Sequence, residues 1–208
     1  MLEALAAGVI LGLTAGLAPG PLLTLVISET LRRGVGAGVK VALAPLITDL
    51  PIIIVTMFVL GRLSGVQSVL GVISLVGAAF LLFTGYENLR STGLSSEPGA
   101  EANTSLLKGV LANALNPHPY LFWLSVGGGY LTKAMSSGLV APALFLGGFY
   151  SCLIGSKVLL AVSVGGSRAL LRGSLLNYIY KVLGMLLCLL ALGMFRDGLA
   201  LLGFIEKT

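Results

Sequence analysis

Three side chains that can move protons or hold charge sit inside otherwise apolar stretches of this chain. Asp49 lies nine residues beyond Lys40 and thirteen before Arg62, Lys157 lies eleven residues before Arg168, and His118 is the single histidine. As helix, those spacings put Asp49 about 13 Å and 20 Å from the ends of its segment and Lys157 about 16 Å from the nearer end of its own. An isolated charge at such depth in a bilayer costs about 2.5–3.5 kcal/mol on insertion scales. A carboxylate there can take up a proton or contact an amine, and an ammonium can balance it or hold a solute carboxylate. The bland alternative is a permanent ion pair that locks the protein together. His118 stands between Pro117 and Pro119 and suits either a titratable gate or a simple kink residue. One histidine makes no metal site, since zinc asks for three or four ligands. Cys152 and Cys188 form no CxxC and read as buried apolar residues.

The segments that carry these groups are membrane-like. Of 208 residues, 56% are hydrophobic, 29 are glycine and 10% are charged, against roughly 25% charged in a soluble domain. A soluble fold has no interior large enough for that much apolar surface. The stretches 4–28, 63–86, 109–132 and 134–156 contain no Asp, Glu, Lys or Arg. Each exceeds the roughly 20 residues that cross a bilayer as helix. A further segment, 41–61, carries Asp49, and a last one runs over 176–199. All are apolar on every side, which argues against barrel strands. The expectation is an all-α integral membrane protein with six transmembrane helices.

Basic residues orient such a bundle. Arg32, Arg33, Lys40, Arg90, Lys108, Arg168, Arg172 and Lys181 fall on one side, and Arg62, Lys133, Arg196 and Lys207 on the other. The positive-inside rule puts the first set in the cytoplasm and both termini outside. The net charge of +5 is then topogenic, with no nucleic-acid partner expected; the lipid bilayer is the surrounding partner. The N-terminus lacks a basic n-region, so the first span is expected to be retained. Glu87 and Arg90 are spaced as an i,i+3 ion pair.

An internal repeat places the chemistry. Leu17-Ala18-Pro19-Gly20-Pro21 and Leu115-Asn116-Pro117-His118-Pro119 share Leu-x-Pro-x-Pro, each in the first span of its half. Three spans per half make the halves inverted repeats: 1–90, a cytoplasmic linker 91–105, and 106–208. Two prolines in one helix remove two backbone donors, and hydrocarbon supplies no substitute. Such breaks survive where protein or a wet cavity surrounds them, so equivalent breaks in both halves point to a substrate cavity. Asp49 and Lys157 fall in the middle spans of the two halves and align with one another. Gly8, Gly12, Gly16 and Gly20 recur every four residues, a spacing that lets helices approach and that serves a moving interface or a homo-oligomer equally well.

The chain resembles the lysine exporter (LysE/RhtB) family of amino-acid efflux transporters. Ala18-Pro19-Gly20-Pro21 is similar to its GPGP element, and Gly34 and Gly38 lead to Asp49 like its spaced glycines before an acid. The stretch 77–85 looks like its GaayLlylG element, and 108–117 followed by Leu121-Phe122-Trp123 like its G-x-L-x-N-x-x-NPKA-x-x-F element. Ala18 replaces the first glycine of GPGP and His118 the lysine of NPKA, while Lys157 belongs to no such element. The resemblance implies six spans, a plasma-membrane location and export of amino acids, coupled to protons by antiport. Carried over by position, it marks Pro19, Gly20, Pro21, Asp49, Asn116 and Pro117 as pathway residues, to which the residue reading adds His118 and Lys157. The expected partners are a small amino acid or zwitterion and a coupling proton. There is no GxSxG, HExxH or nucleotide loop, so neither an enzyme nor an ATP-driven pump is expected, and no cofactor. The competing readings are a divalent metal-cation exporter of the same wider superfamily, a membrane thiol–disulfide carrier and a non-transporting scaffold.

Overall fold

The computed structural model describes residues 1–56, 66–90, 102–167 and 174–205. Among these residues every regular element is helical. α1 (Leu2–Leu17) and α2 (Pro21–Arg33) meet at a bend of 62°. α3 (Val35–Ala42) and α4 (Ala44–Ile54) form one continuous rod, and α5 (Val66–Arg90) follows. α6 (Ala102–Ala114), α7 (Pro117–Phe122), a π-helical turn (Trp123–Gly127) and α8 (Gly128–Ser136) come next, before α9 (Val140–Ser167) and α10 (Ser174–Leu201).

Among the described residues four helical stretches are long and apolar enough to cross a membrane, or five if the bent α1–α2 pair counts as one span. The expected fourth span is the exception, because Asn116-Pro117 divides α6 from α7 and the π turn follows. Its charge-free run was legible; its division into short helices follows from the prolines, which withhold the donors a continuous helix needs. Ala102–Ser105, assigned above to the linker, are instead the first turn of α6; residues 91–101 lie outside the described set. Of the basic residues counted above, Arg62, Arg168, Arg172 and Lys207 also lie outside it.

Small residues set the helix pairs. The buried glycines Gly8, Gly12 and Gly16 of α1 lie flat on α9. A Cβ at Gly8 would strike the Phe145 carbonyl oxygen, one at Gly12 the Phe149 carbonyl, and one at Gly16 the Ser156 hydroxyl. α5 and α10 run antiparallel and touch through two reciprocal glycine pairs. A Cβ at Gly184 would lie 2.8 Å from the Gly85 carbonyl oxygen, and one at Gly71 3.0 Å from that of Gly198. With no apolar effect driving helices together in lipid, such backbone contact supplies the dispersion energy that does. Among the described residues three apolar cores result: one around Leu25, Val26, Val41, Leu81 and Leu187, one around Trp123, Phe145, Phe149 and Leu153, and a smaller one of Leu31, Tyr180 and Leu183.

Filling the α1–α9 seam tests this account. Gly12→Ala should destabilise the protein by about 1–3 kcal/mol, as overpacking does, and lower its melting midpoint in detergent. Gly147→Ala on the opposite face of α9, where a Cβ meets nothing, should leave the midpoint unchanged.

Candidate functional site

The two proline breaks face one cavity of about 500 Å³. At the first, Gly20 is extended and caps α2, whose first residue is Pro21. Proline suits that position because a helix leaves its first donors unused anyway. The cost falls on α1. The carbonyl of Ala15 would bond to the N–H of residue 19, which is proline. The Lys157 ammonium of α9 takes that place, donating to the Gly16 carbonyl at 3.0 Å and the Ala15 carbonyl at 3.4 Å. These carbonyls are the negative end of the α1 dipole, so a cation is favoured there.

The second break is built from asparagine. Asn116 caps α7 by accepting the His118 backbone N–H on Oδ1 at 3.1 Å. The Ala114 carbonyl, which has lost its helical donor, accepts the Tyr120 hydroxyl at 2.9 Å. Asn113, on the last turn of α6, turns its amide to α4: Nδ2 donates to Asp49 Oδ1 at 2.8 Å and to Thr48 Oγ1 at 2.6 Å. The Tyr150 hydroxyl of α9 donates to Asp49 Oδ2 at 3.3 Å. Asp49 is 4% exposed and Lys157 3%, so neither charge is solvated by bulk water in this state.

The cavity lining includes seven of the eight residues singled out from sequence: Pro19, Gly20, Pro21, Asp49, Asn116, His118 and Lys157. Pro117 is buried at the start of α7 behind that surface. His118 itself is exposed, and its backbone rather than its ring makes the capping bond. Asp49 and Lys157 share the cavity without forming an ion pair; the carboxylate is held by neutral donors and the ammonium by backbone carbonyls. The permanent lock is therefore not present. Glu87 does not pair with Arg90 either. It takes Lys108 at 2.7 Å, while Arg90 stacks on the Tyr86 ring of its own helix, because residues on different helices meet at this end more closely than an i,i+3 pair on one.

Asn113, Thr48, Tyr120 and Tyr150 were not foreseen as site residues. For two of them the spacing carried a signal: Asn113 is four residues before Pro117, and Tyr150 is two helical turns before Lys157 on the same face. Phe122 stacks on Phe149 at 5.3 Å, and Phe149 meets Tyr150 edge-on at 5.2 Å, which fixes the tyrosine beside the acid. Cys152 and Cys188 are free and half-buried on different helices. Among the described residues no group of three His, Cys, Asp or Glu side chains comes together to hold a metal.

Helices long and apolar enough to cross a membrane, broken around a buried acid and a buried base, describe a multi-pass membrane protein with a polar cavity. The sequence pattern of the LysE type translocators matches residues 13–198, and the chain belongs to that family. Comparisons with curated proteins and with solved structures return no match.

Removing the Asn113 amide tests the acid's setting. Asn113→Leu should cost about 1.5–3 kcal/mol, the worth of a hydrogen bond to a charged group. Combined with Asp49→Leu, which removes the charge it serves, the double variant should lose less than the sum of the singles in thermal unfolding.

Proposed function

We propose that the protein is a secondary transporter that exports amino acids or related small zwitterions across the plasma membrane by proton antiport. One observation carries the reading: a buried acid and a buried base line the same cavity unpaired with each other. A zwitterion has an ammonium for Asp49 and a carboxylate for Lys157, and the cavity's volume accommodates a solute of that size. When the solute leaves, a proton on Asp49 neutralises the acid in its place, which couples the two fluxes through one site. Neutral donors from Asn113 and Tyr150 suit that exchange, because they yield more readily than a fixed counter-charge would.

The arrangement also supports two inverted three-helix halves. Lys157 bonds the carbonyl of Ala15, four residues before Pro19; Asp49 bonds Asn113, four residues before Pro117. The middle helix of each half thus reaches the broken helix of the other at the same register. The reciprocal glycine pairs of α5 and α10 obey the same exchange of halves. Inverted halves are the usual basis of alternating access. With both termini outside, α2 and α6 run toward the cytoplasmic face at their Arg33 and Ala102 ends.

A divalent-metal exporter fits less well, since among the described residues no three His, Cys, Asp or Glu side chains come together to hold a metal. Transport in proteoliposomes with a panel of labelled amino acids, with and without a pH gradient, separates the readings. Gradient-driven flux should fall roughly 5- to 150-fold in Asp49→Asn, the range that ~1–3 kcal/mol of proton–solute coupling spans. Equal flux in that variant would remove Asp49 from the coupling step. Movement of a divalent metal and no amino acid would favour the metal exporter, and unchanged function in Asp49→Leu a scaffold.

A further inference from the structure

A second buried polar cluster lies away from the cavity, and the proposed transport cycle gives it a use. Glu29 of α2 is 2% exposed. Its Oε2 accepts the Ser105 hydroxyl of α6 at 2.6 Å and faces Arg33 at 3.5 Å, while Oε1 lies 3.7 Å from Lys108 of α6. Lys108 also holds Glu87 of α5 at 2.7 Å. Arg33 reaches Thr104, and Ser28 of α2 donates to Asn88 of α5 at 3.0 Å. Three helices are thus tied together through charged and hydroxyl groups.

The same three helices line or adjoin the cavity at their other ends. α2 begins at the cavity with Pro21 and Leu22, and Glu29 comes eight residues later, about 12 Å along the helix. α6 ends at the cavity with Asn113, and Ser105 is eight residues earlier, again about 12 Å. In α5, Gly77 packs against Leu115 beside the second break, and Glu87 follows ten residues on, about 15 Å. Between the two levels the helices contribute Leu25 and Val26, Ala112, Ala78 and Leu81 to one buried apolar core, and the buried Thr24 and Thr84 hydroxyls there turn back to the Gly20 and Phe80 carbonyls of their own helices. The layers are a cavity, an apolar plug and an ionic clamp.

We propose that this clamp is the closed gate on the cytoplasmic side, and that parting α6 from α2 and α5 there opens the cavity to that face. The inference rests on the transporter reading. A fixed structural knot in so apolar a setting would be expected to satisfy all its members. Here the Asn88 amide nitrogen is buried without a partner among the described residues, although its carbonyl oxygen is bonded. Glu29 is shared among two cations and a hydroxyl on two helices. In the topology proposed above these groups lie toward the cytoplasmic face, where water can replace their partners as the helices separate. That gives the closed and open arrangements comparable energies, as a two-state element requires.

The experiment uses the full chain in membrane vesicles of either orientation, with Cys152→Ala and Cys188→Ala, and a reporter cysteine in the plug, Ala112→Cys. A membrane-impermeant maleimide added on the clamp side should label it slowly. Glu29→Gln should speed labelling by about tenfold or more, and Glu29→Asp, which keeps the charge, should retain more of the protection. A second reporter at Ala141→Cys, a buried position in the first turn of α9, should stay protected throughout. Unchanged labelling of the plug in Glu29→Gln overturns the gate, and so does equal exposure of both reporters, which would mean general loosening. Because the readout needs no solute, a failure of amino-acid transport would leave the labelling result standing, and the two proposals fail separately.

Discussion

Everything in this molecule answers to one constraint: a backbone carbonyl that loses its helical donor inside a bilayer must find another. Four prolines placed in two short motifs create those losses at two sites. At the first, the donor from another helix is the Lys157 ammonium; at the second, the Tyr120 phenol serves the Ala114 carbonyl and the Asn116 backbone N–H that of Asn113. The charged and polar side chains of the cavity are therefore not decorations on a finished scaffold. They complete the hydrogen bonding that the breaks left open, and the cavity is the space those replacements enclose. This ties chemistry to fold closely: a lysine that would be costly alone becomes favourable at a negative helix end.

The acid and the base are held in matching ways by different chemistry. Lys157 of α9 lies against the last turn of α1, and Asp49 of α4 against the last turn of α6. The ammonium is spent on fixed backbone carbonyls, while the carboxylate is held by side chains that can turn. An exchange partner arriving in the cavity therefore meets a restrained positive group and an adaptable negative one. The division explains why the two can share a low-dielectric space without collapsing into an ion pair.

Much of this was readable in the amino acids. Charge-free runs marked the membrane class, and the paired Leu-x-Pro-x-Pro motifs, with Asp49, His118 and Lys157, named seven of the residues that line the cavity. Less legible was anything decided by which helices neighbour one another. Asn113 and Tyr150 are ordinary polar residues in a one-dimensional reading; they become site residues only because α6 and α9 both flank α4's acid. Glu87 was assigned to its near neighbour on one helix, yet α6 brings Lys108 closer. The fourth span carried both signals: its apolar run marks it as membrane-like, and its proline motif foretold the cut at Asn116-Pro117, while the π-helical turn that follows left no mark in hydropathy.

The glycine seam between α1 and α9 has a mechanical consequence. Where backbone lies on backbone, no side-chain rotamers are available to absorb sliding, and the Lys157 anchor ties the far end of the same pair. α1 and α9 must then travel as a single stiff beam. Any swing of α2 relative to that beam is confined to the three residues Ala18, Pro19 and Gly20, and two of them are among the stiffest and the most pliant that a chain can offer. The bend of 62° seen here is in that sense the setting of an elbow, with proline limiting its arc and glycine supplying its play.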